Sequence, residues 1–589
     1  IWSLSSTAWS EALESAVVSG NRWLVYGALL VLLLVLVSHD RRAAVLLAAA
    51  ALGVGAVALS VLVRLLGDDP GALFLGARLN SPLGYINGEG CLFVIGFWLS
   101  VAASEFRRAL VAGPALGMAT LMACLALLSQ SRGTALAMIG SLVVVLVLVP
   151  WSTRRAYALL VVAGAVALAA PALLRVYDHR AASAVPLDVA HTAGRAALIA
   201  VVAVGIAWSV LSASWERAGS RPELAARARR AGSALLVVPV IIALVLGAIS
   251  AHRIERDVRT QWHSFVRLSE PGENALSSSA SHSRLLSGAG NRYDYWRIAW
   301  RVWKAHPLLG VGAGNYPRSY YERRATTEDI QQPHSIELQV LSELGLLGGL
   351  LLGAFLAGVG WGAARARRRA AGSPLRVALM TGSLGVFVAW LVQASVDWMH
   401  LLPGLSAIAL AGGAVLIWPS SPARAPDASV HPRRAGERGL AGRFTRRRAA
   451  ALGVAGVILS LIVAGASLSR QGLADLYRTR AQSELSRSPA RALADANRSL
   501  GIDADAPQSY YVKAAALARF DQAPAAEAAL VRALAREPGN FVTWTLLGDI
   551  AVRRRNLGVA KRDYAHAREL NPRNPILQAL SQTPGAALR

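Results

Sequence analysis

The chain is long, apolar and strongly basic: it has 589 residues, of which 54% are hydrophobic and 16% charged, and its mean hydropathy is +0.41. Soluble proteins carry about a quarter charged residues, so this composition excludes an ordinary soluble enzyme and indicates a membrane protein. The net charge of +26 could suggest nucleic-acid binding. Because the arginines cluster in short loops between apolar runs, the charge is better explained by membrane topology, and we expect no nucleic-acid partner. The two cysteines, Cys91 and Cys124, lie in apolar runs and predict no disulfide framework or thiolate metal site.

Twelve apolar runs are candidate membrane spans, because a bilayer core of roughly 30 Å requires about 20 apolar residues in a helix. In chain order they are residues 22–38, 43–65, 89–104, 109–128, 134–150, 156–173, 196–213, 231–250, 336–363, 377–397, 402–418 and 450–468. The sequence therefore predicts an all-α fold, with a polytopic membrane helical bundle over residues 1–468 and a polar region over residues 469–589.

Alternate loops between these spans are basic, and short basic loops face the cytoplasm. They contain Arg41 and Arg42, Arg107 and Arg108, Arg154 and Arg155, and the arginines of 217–230, 365–376 and 424–448. Residue 1, the long loop 251–335 and the region after 468 are then expected on the external side. An external residue 1 also predicts at least one earlier span. Membrane lipids are expected around the spans.

The 251–335 loop is rich in aromatic residues. They include Trp262, Tyr293, Tyr295, Trp296, Trp300, Tyr316, Tyr320 and Tyr321. This aromatic content predicts a folded, partly helical loop. Loops of this length in compact proteins are usually functional.

The 469–589 region has a repeat of 34 residues. Its last unit reads Trp544, Leu547, Gly548, Ala560, Tyr564, Ala567 and Pro572, spacings similar to the tetratricopeptide consensus. One step back gives Tyr510, Ala514, Ala526, Leu530, Ala533 and Pro538, and a third, degenerate step gives Ala492, Ala496 and Ser499. Small residues at these positions let paired helices pack closely, so we expect an α-solenoid. It would bind a protein partner or act as a rigid spacer.

The segment around His334 is the most informative for chemistry. Pro333 is suited to open a helix, which would put His334 in the first turn of the ninth span. The positive end of a helix disfavours a charged imidazole and favours nearby anions. A neutral histidine beside an anion site is suited to accept a proton. The alternative is a histidine that only caps the helix at the membrane interface.

Four elements resemble the O-antigen ligase and polymerase family, which includes protein O-oligosaccharyltransferases, and they follow one another along the chain in the family's order. His334-Ser335, nine residues, Gly345, two residues and Gly348 resemble its signature, although Gly349 stands where the family usually has threonine. The other elements are the segment from Arg292 to Trp296 with the turn from His306 to Tyr316, Ser129 to Gly133, and Gly84 to Asn87. They cover most of residues 80–360.

This resemblance implies that His334, Arg292 and Arg132 are the catalytic residues. The planar guanidinium group of arginine can bind two phosphate oxygens at once. An arginine at a membrane boundary is energetically costly without a partner. The alternatives are a salt bridge of Arg292 with Asp294 and a snorkelling Arg132. Other candidate substrate-binding residues are Asn87, Tyr85, Arg284, Asn315, Tyr316 and Arg318; Arg323 and Arg324 are further candidate cations.

The resemblance also implies a glycosyltransferase of the polytopic, lipid-donor type, without a cofactor. The donor would be a glycan on undecaprenyl pyrophosphate, and the acceptor hydroxyl of a glycan, lipid or protein would attack the anomeric carbon with inversion. The location would be a bacterial inner membrane, with the transfer on its external face. Polymerisation of a surface polysaccharide, protein O-glycosylation and lipid-glycan flipping stay open, as does a membrane scaffold. The glycine run 310–314 lacks a βαβ unit for dinucleotide binding, and no histidine spacing predicts a metal site.

Overall fold

The computed structural model describes residues 1–106, 108–218, 259–268, 285, 290–370, 372–418 and 438–588, and it is 80% helical. Nine helices in these ranges are long and apolar enough to cross a membrane, and two shorter apolar helices, Arg132–Leu148 and Pro403–Ile417, accompany them. Together these helices match the predicted spans. The predicted span 231–250 lies outside the described residues.

The helices are numbered in chain order among the described residues. The first group is α1 Trp2–Ser5, α2 Leu13–Leu36, α3 Asp40–Leu65, α4 Ile86–Ser104, α5 Ala109–Leu128, α6 Arg132–Leu148, α7 Thr153–Asp178 and α8 Leu187–Ala218. The second group is α9 Arg292–Ala305, α10 Tyr316–Arg323, α11 Ile336–Ala370, α12 Pro374–Ala394, α13 Pro403–Ile417 and α14 Arg438–Glu484. A two-stranded antiparallel hairpin, β1 Phe74–Leu75 and β2 Arg78–Leu79, lies between α3 and α4.

Helices α4 and α12 form the centre of the bundle and are buried along most of their length. Trp98 of α4 has no exposed surface, and its indole nitrogen donates to Ser141 Oγ of α6 at 2.8 Å. A Cβ atom at Gly385 of α12 would overlap the Trp98 ring, so glycine is needed for this close approach. The polar indole group is thus satisfied inside an apolar core.

Several of the loops that the sequence predicts to be basic meet at one end of the bundle, and the basic stretches 219–230 and 419–437 lie outside the described residues. Arg155 is 1% exposed, and its Nη1 lies 3.3 Å from Glu105 Oε1 and 2.8 Å from Thr381 Oγ1. Arg376 Nε donates to Asp40 Oδ2 at 2.8 Å. These contacts hold together Glu105 at the end of α4, the start of α7, the first turns of α12 and the start of α3. The other ends of the same helices therefore lie together at the opposite end.

Helix α11 is broken at Gly345, whose φ of 65° and ψ of −163° are not helical. The neighbouring chain satisfies the backbone around the break: Val311 N donates to Ser342 O at 3.0 Å, Gly312 N to Glu343 O at 2.9 Å, Leu346 N to Pro307 O at 2.8 Å, and Trp2 Nε1 to Leu344 O at 3.0 Å. A Cβ atom at Gly310 or Gly345 would overlap the opposing backbone. The glycine run 310–314 therefore packs directly against the broken helix. Membrane proteins tolerate such a break where protein covers it.

The chain after α14 forms short helices that pack side by side. They are α15 Pro489–Ile502, α16 Pro507–Arg519, α17 Ala523–Arg536, α18 Phe541–Arg553, α19 Leu557–Leu570 and α20 Pro575–Gln582. Ala492, Ala526 and Ala560, at a spacing of 34 residues, all have 0% exposed surface. The predicted boundary at residue 468 falls inside α14, so one continuous helix joins the two regions.

These C-terminal helices contact the 290–335 part of the long loop directly. Arg324 Nη2 donates to Asn571 Oδ1 at 2.8 Å, and both residues are buried. The rings of Tyr321 and Phe541 lie 5.1 Å apart. Since α11 begins at Ile336, directly after this loop, the C-terminal helices lie at the end of the bundle opposite the basic loops.

Candidate active site

A buried carboxylate, Asp397, joins three parts of the chain at this end of the bundle. It follows α12 and has no exposed surface. Its Oδ1 accepts from Tyr85 Oη at 2.6 Å, and its Oδ2 accepts from Asn87 Nδ2 at 2.6 Å and from Arg292 Nη2 at 2.8 Å. The predicted residues Tyr85, Asn87 and Arg292 are therefore brought together by a residue that the sequence analysis did not single out.

His334 lies beside this carboxylate, just before α11. The prediction that Pro333 opens the helix is wrong, because α11 begins at Ile336 and the Ser335 hydroxyl accepts from Leu338 N at 3.4 Å. Ser335 therefore occupies the capping position, which favours serine. His334 has a φ of 57°, a left-handed conformation that is costly outside glycine and concentrates at functional sites.

The hydrogen bonds of the His334 ring define its proton position. Nδ1 lies 2.9 Å from Gln332 O, and because a carbonyl only accepts, Nδ1 carries the proton. Nε2 faces Asp397 Oδ1 at 3.9 Å. Burial lowers the pKa of His334 below its usual 6.5, although Asp397 partly opposes this effect. The sequence predicted that the helix dipole lowers the pKa of His334, whereas in the structure burial is the main cause. Burial favours a neutral ring with a free electron pair on Nε2.

Arg132 begins α6 and reaches the same region. A Cβ atom built at Gly290 would lie 3.3 Å from Arg132 Nη2, so this guanidinium lies against the chain two residues before Arg292. Ser131 caps α6 by accepting from Thr134 N at 3.3 Å. The three predicted catalytic residues, Arg132, Arg292 and His334, therefore lie in one region, although they are far apart in sequence.

Two further residues support Asn87 and were missed by the sequence analysis. Gln393 Nε2 donates to Asn87 O at 2.6 Å. Arg78, on β2, approaches Asn87 Oδ1 at 3.5 Å and donates to Ser129 O at 3.1 Å. Arg78 and Asp397 are charged residues next to membrane spans, which is costly without a partner or function, and this signal could have identified them.

Tyr295 of α9 borders the His334 ring on another side. The two ring centres are 5.3 Å apart, and Tyr295 Oη donates to Glu328 Oε2 at 2.5 Å. Asn291 Nδ2 donates to the same oxygen at 2.8 Å. Burial, reinforced by Glu328, raises the pKa of Tyr295 above its usual value. Tyr295 therefore stays a neutral donor that fixes the wall of the site.

The alternative salt bridge of Arg292 with Asp294 is not formed. Asp294 is fully buried and accepts instead from Arg297 at 2.5 Å and from Ala325 N at 3.0 Å. Arg292 is left to pair with Asp397, with 23% of its side chain exposed. It can therefore contact both the buried carboxylate and a ligand.

The remaining predicted binding residues lie away from Asp397. Asn315 is buried, and its side chain bonds to Ser10 and to Ala12 N. Tyr316 has no exposed surface and donates to Tyr295 O at 3.1 Å. These two side chains pack inside the protein in this structure.

The cationic candidates of the loop also lie outside the cluster around Asp397. Arg318 pairs with Glu11 and Glu322, Arg323 pairs with Glu322, and Arg324 bonds to Asn571. Arg284 lies outside the described residues. Within the ranges that the structure describes, no group of three or more histidine, cysteine or acidic side chains could hold a metal ion.

A comparison with protein families matches residues 181–353 to the model described as O-antigen ligase. The matched segment contains α9, Arg292, His334 and the break in α11. This match supports the O-antigen ligase superfamily. It covers under a third of the chain, and Tyr85, Asn87, Arg132 and Asp397 lie outside it. No curated protein matches the chain.

Proposed function

We propose that the protein transfers a glycan from undecaprenyl pyrophosphate to an acceptor hydroxyl on the external face of a bacterial inner membrane. The proposal rests mainly on the convergence of a neutral His334 and Arg292 on the buried Asp397, with Arg132 against the chain at Gly290, two residues before Arg292. The reaction needs a base for the acceptor's proton and cations for the leaving pyrophosphate. His334 can serve as the base, and Arg292 and Arg132 are permanent cations. The family match over residues 181–353 supports a ligase- or polymerase-like transfer.

In the proposed step, the acceptor oxygen forms a bond to the anomeric carbon as the bond to the lipid pyrophosphate breaks, with inversion. The acceptor's proton passes to Nε2 of His334, because Nδ1 is already protonated and bonded to Gln332 O. The resulting imidazolium is stabilised by Asp397, 3.9 Å away. Arg292 and Arg132 neutralise the charge that collects on the leaving pyrophosphate. The step requires no metal ion or nucleotide sugar.

The proposal divides the chain into three functional parts. Residues 1–468 form the transmembrane glycosyltransferase domain, residues 251–335 its external catalytic loop, and residues 469–589 an external tetratricopeptide-repeat domain. The spacing of buried alanines at 492, 526 and 560 supports the repeat, because each helix pair then presents the same small residue to its neighbour. In this proposal the repeats orient an acceptor or a protein partner and take no part in bond making.

Reconstitution tests the function most directly. The full chain in lipid vesicles would be given a purified undecaprenyl-pyrophosphate glycan and candidate acceptors, and both released undecaprenyl pyrophosphate and glycosylated product would be measured. We expect both products from the wild type and neither from His334→Ala. His306→Gln, at an exposed histidine of the same loop, should behave as the wild type. Translocation of the donor without release of pyrophosphate would instead indicate a flippase.

Product length separates the two ligase-like alternatives. A single added glycan per acceptor indicates a ligase, and a ladder of repeat units on the lipid donor indicates a polymerase. Both outcomes use the same His334 and arginine chemistry, so the site variants should abolish both.

A further inference from the structure

A cavity of about 440 Å³ lies between the N-terminal segment, the 310–331 part of the loop and the C-terminal helices. This volume is within the roughly 300–1,000 Å³ of ordinary ligand pockets. Its walls include Glu11, Arg318, Tyr321, Gln508, Tyr511 and Phe541. We refer to it as the interdomain cleft. It is separate from the cluster around Asp397, and the reaction described above does not use it.

The interdomain cleft combines flat rings with hydrogen-bonding side chains. Tyr321 and Phe541 meet edge to face, with ring centres 5.1 Å apart, and Tyr511 adds a third ring. Exposed amides, Gln331 and Gln508, stand on opposite walls. Aromatic faces bind the apolar C–H face of a sugar ring, while amides and carboxylates bind its hydroxyls as donors and acceptors. This mixture is typical of a site for a polyhydroxylated ligand.

The charge of the cleft argues against an anionic ligand. Three carboxylates, Glu11, Asp329 and Glu537, line it together with one guanidinium, Arg318. Arg318 is already paired with Glu11 and Glu322. A phosphate or an acidic sugar would therefore meet net negative charge, whereas a neutral sugar would not.

A short segment connects the interdomain cleft to His334. Tyr321 Oη bonds to Asp329, and Gln331 Nε2 donates to Tyr321 Oη at 3.2 Å. The next residue, Gln332, holds the His334 ring through its carbonyl oxygen. Since an extended chain covers at most about 3.5 Å per residue, the Cα atoms of Gln331 and His334 are within about 10 Å. The wall of the cleft at Gln331 is therefore no farther from His334 than the length of a short oligosaccharide.

We propose that the interdomain cleft binds the acceptor as a neutral oligosaccharide and directs its terminal hydroxyl towards His334. This inference rests on the proposed glycan transfer and specifies its acceptor as a sugar chain. The C-terminal helices then contribute one wall of the acceptor site. The C-terminal helices are only one of the three regions that build the cleft, and binding of a peptide instead of a sugar is the alternative outcome of the test.

Acceptor binding can be measured without any donor. The probe is the acceptor's oligosaccharide, chosen by the product-length assay. It is the repeat unit released by mild acid from the lipid-linked glycan if the product is a ladder, or the oligosaccharide released by mild acid from the accepting glycolipid if the product is a single addition. It is titrated calorimetrically into the full-length protein in lipid nanodiscs. We expect saturable binding that weakens about 3- to 10-fold in Tyr511→Ala, which removes a ring from the cleft, and about 3-fold in Gln508→Ala, which removes a hydrogen bond. Tyr511→Phe keeps the ring and should bind within about 2-fold of the wild type, as should Phe520→Ala, at an exposed ring outside the cleft.

The transfer assay gives a second readout. Tyr511→Ala and Gln508→Ala should raise the KM for the acceptor while leaving kcat at saturating acceptor unchanged. The proposal is overturned if the probe does not bind, if both variants bind as the wild type does, or if a serine- and threonine-rich peptide binds in place of the oligosaccharide. If Tyr511→Ala does not fold, Gln508→Ala decides. Binding without transfer would contradict the proposed function and leave the cleft as an oligosaccharide site that is not an acceptor site. Transfer with an unchanged acceptor KM in both variants would support the proposed function and overturn this inference.

Discussion

The Asp397 carboxylate has its hydrogen-bonding capacity filled. Oδ1 accepts from Tyr85 and from Trp398 N, and Oδ2 accepts from Asn87 and Arg292. An ionised carboxylate has about four lone-pair sites, so His334 at 3.9 Å can bond to Asp397 only if another partner leaves. Nε2 of His334 therefore remains available to a substrate hydroxyl. Asp397 positions Arg292, and in the proposed step it would stabilise the imidazolium without a direct hydrogen bond.

His334→Ala and His334→Gln should each reduce transfer by roughly 10²- to 10⁴-fold, because neither side chain takes up the proton. Both variants should still insert and bind donor lipid. Since burial lowers the pKa of His334 below 6.5, and the neutral ring is the active form, wild-type activity should fall only as the pH drops below that lowered pKa. The check is the pH profile of kcat/KM. Activity that falls as the pH rises through the histidine pKa would indicate a required imidazolium instead.

Arg292→Lys and Arg132→Lys should impair transfer, and the alanine variants should impair it further, by about 10²-fold or more. Lysine keeps the charge but lacks the planar fork that binds two phosphate oxygens. Steady-state rates with a lipid-linked donor measure the effect. Arg498→Ala, at a side chain that is 64% exposed, is the matched control. If both alanine variants keep wild-type rates, the anion site lies elsewhere, and Arg318, Arg323 and Arg324 are the next candidates.

The break in α11 is the element that fixes the loop against the membrane helices. Gly345→Ala would place a Cβ atom into the carbonyl of Leu308 and hold alanine in a backbone region that only glycine adopts readily. We expect a loss of about 3 kcal/mol in the free energy of unfolding. Activity should also be lost, because the segment 307–314 that packs against the break would be displaced.

Gly358→Ala is the control for this prediction, because Gly358 lies on the same helix with no atom near its Cβ position. Alanine there should be neutral or stabilising by up to about 1 kcal/mol. Thermal unfolding in detergent compares the two variants. Equal melting temperatures for Gly345→Ala and Gly358→Ala would show that the break contributes little to stability.

Element positions were largely predictable, whereas the local geometry at His334 was not. Apolar runs locate spans because burial in lipid depends on composition and length alone. Pro333 and Ser335 both favour the start of a helix, and the sequence does not decide at which of them α11 begins. The continuous helix α14 also hides the domain boundary, since its apolar and polar halves share one helical backbone.

At the scale of the whole molecule, contacts between distant segments were the least predictable feature. Arg292 and Asp397 are 105 residues apart in sequence, and Arg324 and Asn571 are 247 apart. Charge and spacing say that such residues need partners but do not say which ones. The 34-residue period singled out Ala492, Ala526 and Ala560, which are buried, and it carried no information about the docking of the C-terminal helices on the loop.

The two ends of the bundle lead to a prediction about membrane orientation. Arg155 and Arg376 hold the basic loops together at one end, while His334, Asp397 and the C-terminal helices lie at the other. Because positively charged loops stay in the cytoplasm, the end with His334 should face outwards. The native cysteines are buried, so the wild type should give little background with an impermeant thiol reagent.

Two single-cysteine additions test the orientation in spheroplasts. Phe520→Cys, at a ring that is 43% exposed on the C-terminal helices, should react in intact spheroplasts. Trp151→Cys, at a position that is 64% exposed between α6 and α7, should react only after the membrane is permeabilised, because this loop lies at the basic end. The reverse pattern would place His334 in the cytoplasm and contradict glycan transfer on the external face. Reaction of both positions in intact spheroplasts would contradict the separation of the two ends by the membrane.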